Sequence, residues 1–184
     1  GNPNVLYASG GGFYRSVNGG NTFSIISTVP GAGASRVSIA VTPADSNYVY
    51  ALAGKSSDQG FLGLYLSING GKTFTKQSFD PNILGWDPDG GDSGGQAWYD
   101  LALAVSPTDK NEIVAGGVNI WRSMDAGVSW TLNAHWYGGG GAPYVHADIH
   151  TLQYHDANTI YAGCDGGFFR TTDNGSSWTD LSSG

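Results

Sequence analysis

Charge is scarce in this sequence. Only 12% of the residues are Asp, Glu, Lys or Arg, the eight basic residues are scattered, and the formal net charge is −7. The basic stripe that binds nucleic acid or an anionic membrane is missing, which argues against both as partners. No apolar run approaches the ~20 residues that span a bilayer, so we predict no membrane insertion.

Cysteine is nearly absent, whereas glycine and aromatic residues are plentiful. The lone Cys164 excludes an internal disulfide and every zinc site built from several cysteines. The 30 glycines separate short runs that contain ten Tyr, seven Phe and six Trp. Many short strands joined by tight turns have this balance, so we predict an all-β chain.

One motif recurs four times, roughly every 50 residues. It reads Ser or Thr, any residue, Asp or Asn, any residue, Gly, any residue, Ser or Thr, and then Phe or Trp. A short polar side chain at its third position accepts backbone N–H bonds within a hairpin turn, while glycine takes a positive φ. We therefore interpret the third residue as the holder of a turn, not as a catalytic group. These residues are Asn18, Asn69, Asp125 and Asp173.

The segments between the motifs predict the blades of a β-propeller. Each motif follows an aromatic strand, which follows a second strand and an inner strand, so one unit is a blade of four antiparallel strands. The first unit lacks its inner strand, and we predict about three and a half blades of a larger propeller. The expected parts are the rear of one blade in 1–29, blades in 34–80, 98–135 and 146–184, and loop insertions in 85–95 and 138–141.

At these turns the sequence resembles the Asp-box, or BNR-repeat, β-propellers. That group includes sialidases, xyloglucanase-like glycoside hydrolases, sortilin-type receptor domains and secreted bacterial propellers. The string from His146 to His150 is also similar to one in secreted bacterial propellers. The resemblance implies the fold and an extracellular or cell-surface location, but no single function, because these families share the turn and differ in their sites.

The inner strands carry the leading binding residues, because they border the central channel where propellers bind ligands. Alignment of these strands places Arg36, Asp100 and Asp148 at equivalent positions, so we expect them to converge at one end of the axis and compensate each other's charge. His146, Asp148 and His150 alternate, which predicts one strand face. A hydrogen-bonded cluster is preferred there to a metal site, because an extended strand separates the outer pair by ~13 Å.

A Gly-rich loop offers the only metal site that we consider besides this one. Asp87, Asp89 and Asp92 supply hard oxygen ligands that suit Ca²⁺. The bidentate acid that closes an EF-hand loop is absent, so we prefer a solvated turn and predict no cofactor.

Aromatic residues near the channel loops have two interpretations. Flat rings either stack on sugars and anchor protein partners, or fill the interfaces between blades. The candidates are Trp86, Trp98, Trp136 and Tyr137.

Two functions from different classes follow. The preferred one is a non-catalytic scaffold of a secreted or cell-surface protein that binds protein or glycan through its channel-end loops, with the remaining blades supplied by the same polypeptide or a partner chain.

The alternative is a xyloglucanase-like glycoside hydrolase acting on a polysaccharide, with Asp100, Asp148 or Asp165 as acid and as nucleophile or base. Asp165 lies in a stretch similar to the Asp-Gly-Gly turn of those enzymes, but Ser9 and Gly10 stand in the parallel stretch where an acid is needed. Sialidases hold a carboxylate of their substrate with three arginines. Here Arg36 is the only arginine outside the repeat register, so sialidase activity is disfavoured.

Overall fold

The structure, a computed structural model, describes residues 1–10, 12–30 and 32–182. Within these ranges the regular elements are fifteen β-strands. Within the described ranges no helix is long and apolar enough to cross a bilayer. The strands are β1 Leu6–Ser9, β2 Phe13–Ser16, β3 Ser24–Ile25, β4 Ala34–Val41, β5 Val49–Lys55, β6 Phe61–Ser67, β7 Thr75–Ser78, β8 Ala102–Val105, β9 Ile113–Gly116, β10 Ile120–Ser123, β11 Thr131–Ala134, β12 Ile149–Tyr154, β13 Ile160–Cys164, β14 Gly167–Thr171 and β15 Thr179–Asp180.

The strands form successive blades of a β-propeller, which confirms the predicted fold class. Strands β4 to β7, β8 to β11 and β12 to β15 make three four-stranded antiparallel sheets in which chain neighbours pair, and β1 to β3 make a three-stranded sheet. The inner strands β4, β8 and β12 lie side by side. Of the last predicted blade, residues 183 and 184 lie outside the described residues.

Apolar side chains between neighbouring sheets form the core. Leu52 and Leu64 of the second sheet pack with Leu103 and Ile113 of the third. A similar cluster joins the third and fourth sheets, with Val114 and Ile120 against Ile149, Leu152 and Phe169. The middle strand β5 is buried along six of its seven residues because both faces are covered.

All four repeated turns use the same hydrogen bonds, and their third residues are all exposed. Asp125 shows the pattern: its Oδ1 accepts the N–H of Ser129 at 2.9 Å and the hydroxyl of Ser123 at 2.8 Å. The Ser123 hydroxyl in turn accepts the N–H of Gly127 at 2.8 Å. Equivalent bonds hold the turns of Asn18, Asn69 and Asp173.

Asp125 offers a test of this turn. Asp125→Ala is expected to lower the free energy of unfolding by about 1 kcal/mol. Asp125→Asn should cost less, because Asn18 and Asn69 hold their turns with the same Oδ1 atom. Urea denaturation measures both changes, and equal losses in the two variants would contradict the role of Oδ1.

The pH dependence of these variants has a definite sign. Burial opposes ionisation of Asp125, but hydrogen bonds from Ser129 and Ser123 outweigh it and lower the pKa of the carboxyl. The stabilisation by the carboxylate is therefore present above the unfolded-state pKa of about 3.9 and is lost as pH falls through the folded-state value. Any difference in the free energy of unfolding between the wild-type protein and Asp125→Asn should therefore disappear at acidic pH.

Candidate functional site

The candidate site lies at the end of the blades opposite the repeated turns, which we call the loop face. Successive strands of a blade are antiparallel, so alternate connections lie at the same end of the blades. The loop face therefore contains residues 79–101 between β7 and β8, residues 135–148 between β11 and β12, and the β13–β14 turn. These loops and the first residues of β12 bring together six side chains that we call the axial cluster. They are Gln96, Tyr99, Asp100, Asp148, His150 and Asp165.

Gln96 joins two of the predicted carboxylates. Its Nε2 donates to Asp100 Oδ2 at 3.0 Å and also to Asp148 Oδ1. One nitrogen shared by two hydrogen bonds keeps the nearest oxygens of Asp100 and Asp148 within about 6 Å of each other. Asp148 adopts a positive φ of 68° just before β12, which aspartate tolerates better than most residues. This turn of the backbone places its carboxylate beside Gln96.

Asp165 is held by two other members of the cluster. Its Oδ1 lies 2.7 Å from His150 Nε2, and its Oδ2 accepts the Tyr99 hydroxyl at 2.9 Å. The hydrogen bond from His150, followed by that from Tyr99, lowers the pKa of Asp165. The Tyr99 ring meets the His150 ring edge-on at 4.9 Å, and the Trp98 ring lies 5.4 Å from Tyr99. Asp165 is therefore an ionised, accessible carboxylate beside aromatic rings.

Asp100 has a contrasting environment. It is only 1% exposed, and burial raises its pKa to about 6, opposed by the Gln96 hydrogen bond and reinforced by the charge of Asp148. The cluster thus contains one carboxyl that is readily protonated and another, Asp165, that is not. In this conformation the Asp100 carboxyl is shielded from solvent, so a ligand in solution meets Asp165 and Trp98 first.

The raised pKa of Asp100 makes stability depend on pH. Between about pH 4 and pH 6 the folded chain retains a proton that the unfolded chain releases, so stability falls as pH rises. The slope contributed by this residue is at most about 1.4 kcal/mol per pH unit. Asp100→Asn should remove it, as measured by urea denaturation at a series of pH values; an unchanged slope in this variant would contradict the assignment.

Two expectations about this region are wrong. Arg36 reaches the cluster, but its Nη1 donates to the Tyr99 carbonyl at 2.8 Å and it makes no ion pair with a described residue. The predicted charge compensation is therefore not formed. His146, Asp148 and His150 do not share one strand face, because β12 begins only at Ile149 and the positive φ of Asp148 interrupts the alternation.

His146 instead lies beside the β13–β14 turn. Its ring occupies the space that a side chain at Gly166 would need, and its Nδ1 lies 3.2 Å from the Ala147 carbonyl. Among the described residues, no three His, Cys, Asp or Glu side chains are placed to hold a metal ion.

The acidic loop uses two of its carboxylates internally. Asp92 Oδ2 accepts the N–H of Trp86 at 2.7 Å, and Asp89 Oδ1 accepts the N–H of Gly91 at 2.9 Å. Asp87 contributes its carbonyl to Gly90 at 3.1 Å. These bonds define the course of the loop.

A groove lies away from the cluster. It has a volume of about 760 Å³, lies between the first two sheets near the second repeated turn, and is lined in part by Tyr7, Arg15 and Asp45. Tyr7 and Arg15 both donate to the Gly70 carbonyl, at 3.0 and 2.7 Å, and Asp45 pairs with Lys110 at 3.0 Å. Its polar side chains are engaged in joining the sheets, so we place the site in the axial cluster.

Sequence reasoning missed Gln96 and Tyr99. Both lie within five residues of the predicted Trp98 and Asp100, in a segment that precedes the apolar inner strand. Polar side chains directly before an apolar inner strand are the sequence feature that could have indicated these two residues.

Comparison with known proteins identifies relatives of the fold. No family model matches the chain. A probable oligoxyloglucan-reducing end-specific xyloglucanase from Neosartorya fischeri is 28% identical over 148 residues, which cover 78% of this chain and 17% of that protein. The chain thus spans less than a fifth of the length of this curated relative.

Solved structures agree with the fold. The GH74 xyloglucanase from Xanthomonas campestris has a TM-score of 0.70 at 22% identity, covering 99% of this chain and 29% of its own. The GH74 enzyme from Niastella koreensis has a TM-score of 0.65 at 21% identity, covering 97% and 28%. YCF48 from Cyanidioschyzon merolae has a TM-score of 0.55 at 14% identity, covering 100% and 53%. These neighbours are β-propeller proteins, and at such identities the likeness shows the fold alone.

Proposed function

We propose that this chain is part of a secreted or cell-surface β-propeller of the Asp-box class that binds a polysaccharide at the axial cluster. The observation that carries the proposal is the Asp165 carboxylate, fixed by Tyr99 and His150. The ring of Trp98, which is 66% exposed, lies 5.4 Å from the Tyr99 ring. A carboxylate and an imidazole can accept and donate hydrogen bonds to sugar hydroxyls, while an exposed ring packs on the apolar face of a sugar.

The charge of the cluster supports an uncharged ligand. Asp100 and Asp148 share the Gln96 amide, and Asp165 is bonded to Tyr99, the residue before Asp100, whereas the guanidinium of Arg36 is directed to a carbonyl. A ligand with negative charge would be repelled. The relatives named as xyloglucanases make xyloglucan oligosaccharides the first ligands to test.

A xyloglucanase-like glycoside hydrolase is the second candidate. The pair formed by Asp100 and Asp148 favours it, because hydrolysis needs two nearby carboxyl groups and burial raises the pKa of Asp100, which suits an acid. The shielding of Asp100 favours binding without catalysis, since an acid must reach the glycosidic oxygen. The proposed binding function needs no cofactor.

Further blades are proposed as the partners of this chain, supplied by the same polypeptide or another chain. Tyr161 of β13 and Phe168 of β14 stack at 5.3 Å, and Phe168 is exposed. Their neighbours Ala162 and Phe169, which point to the other face by strand alternation, are buried against the preceding sheet. The open face of the fourth sheet is therefore apolar enough to pack against another blade.

Calorimetric titration of the full-length protein with xyloglucan oligosaccharides tests the proposed function. Asp165→Asn should weaken binding about tenfold, because it removes charge-assisted hydrogen bonds. Asp173→Asn is the matched control, since it makes the same change in a repeated turn and should leave affinity unchanged. The absence of binding by the wild-type protein would overturn the proposal.

A reducing-sugar assay on the same samples separates the two candidates. Binding without product supports the scaffold. Product formed by the wild type and lost in both Asp100→Asn and Asp148→Asn supports the hydrolase.

A further inference from the structure

Among the large aromatic side chains exposed on the loop face, three lie in two loops that buried polar residues join together. Trp86 is 41% exposed, Trp136 40% and Tyr137 60%. The rings of Trp136 and Tyr137 are 4.8 Å apart and nearly perpendicular. We call these three residues the aromatic platform.

A buried asparagine joins the two loops that carry the aromatic platform. Asn119 is 1% exposed, and its Nδ2 donates to the carbonyls of Trp86 at 3.1 Å and Gly85 at 3.2 Å. Its Oδ1 accepts the N–H of Trp136 at 3.1 Å. A single side chain from the β9–β10 turn therefore fixes the backbone of both tryptophans.

A fully buried histidine adds a second connection. His135 Nδ1 accepts the N–H groups of Tyr137 at 3.4 Å and Gly139 at 3.2 Å. Its Nε2 lies 3.1 Å from the Trp86 carbonyl, so the neutral ring with its proton on Nε2 satisfies every contact. The ring also meets Tyr137 edge-on at 4.2 Å. Rings held in place before binding lose little conformational entropy when a ligand arrives.

The same two loops continue into the axial cluster. The loop of residues 79–101 carries Trp86 and then Gln96 to Asp100, and the loop of residues 135–148 carries Trp136 and Tyr137 and then Asp148. A ligand that follows these loops would contact both the aromatic platform and the axial cluster. Such a ligand must be extended. Among the described residues no Lys or Arg makes a cation–π contact with these rings, which suits a neutral sugar chain.

We propose that the aromatic platform is a second sugar-binding subsite, which makes affinity depend on the length of the glycan. The inference rests on the proposed polysaccharide-binding function. Short oligosaccharides occupy the axial cluster alone, whereas longer ones also cover Trp86, Trp136 and Tyr137.

Calorimetric titration of the full-length protein with xyloglucan oligosaccharides of increasing length tests this subsite. The double variant Trp136→Ala, Tyr137→Ala should bind the longest oligosaccharide about tenfold more weakly and the shortest one unchanged. Trp136→Phe with Tyr137→Phe retains the rings and should restore most of the affinity. Phe23→Ala removes an aromatic ring that is 44% exposed next to the first repeated turn, and should change neither affinity.

The outcomes separate this inference from the proposed function. Wild-type protein that binds no oligosaccharide overturns both. Wild-type binding with the same length dependence in the double alanine variant overturns the aromatic platform alone. Equal weakening for every length also contradicts it, and thermal unfolding of the variant would then show whether the fold was lost.

Discussion

Arg122→Met is expected to lower the free energy of unfolding by about 3 kcal/mol, because it leaves the buried carboxylate of Glu112 without its charged partner. Glu112 is 6% exposed, and its Oε1 accepts from Arg122 Nη2 at 2.6 Å and Nε at 3.0 Å. Tyr154 of the next sheet also donates to this atom at 3.3 Å. Burial raises the pKa of Tyr154, so its hydroxyl remains a neutral donor that cannot replace the arginine.

The double variant Arg122→Met, Glu112→Leu provides the control for this pair. Removing both charges leaves no unpaired buried ion, so most of the lost stability should return. Urea denaturation followed by tryptophan fluorescence measures the three proteins. If the double variant is no more stable than the single one, the loss belongs to packing and the account of the ion pair is wrong.

Gly127→Ala should be similarly damaging, with a loss of about 3 kcal/mol. Gly127 has a φ of 84°, and an added Cβ would lie 1.9 Å from Leu64 Cδ2 and 3.2 Å from Ile113 Cδ1. Leu64 belongs to the preceding sheet and is completely buried, so it has no free space into which to move. The repeated turn thus rests directly on the neighbouring blade.

Gly141→Ala is the matched control for that substitution. Gly141 has a φ of 77°, but no atom lies within 4 Å of an added Cβ. Gly141→Ala should therefore lower the free energy of unfolding only through the positive φ that alanine disfavours, by about 1 kcal/mol. Equal losses for Gly127→Ala and Gly141→Ala in urea denaturation would show that contact between the turn and the preceding sheet adds nothing.

The β-propeller fold could be predicted from the sequence because its signals are local. The hydroxyl of Ser123, the carboxylate of Asp125 and the N–H of Gly127 bond to one another within five residues. Such bonds require a fixed spacing along the chain, and four copies of that spacing mark the blades. Alternating apolar residues between the copies then identify the strands.

The candidate site was less accessible to sequence reasoning, because its contacts join distant residues. Gln96 reaches Asp148 across 52 positions, and Tyr99 reaches Asp165 across 66. Alignment of the inner strands indicated Asp100 and Asp148, but it could not show that Gln96 lies between them. Nor does strand alternation anticipate the positive φ of Asp148, which depends on the tertiary contacts of that side chain.

Amide hydrogen exchange of the full-length protein, compared with and without a glycan, tests the position of the binding site most directly. With saturating xyloglucan oligosaccharide, protection is predicted on the loop face, in residues 96–100, 148–150 and 165–166, with no change in the repeated turn at 123–130. Protection confined to the repeated turns, or to the groove beside Arg15, would contradict the placement of the site.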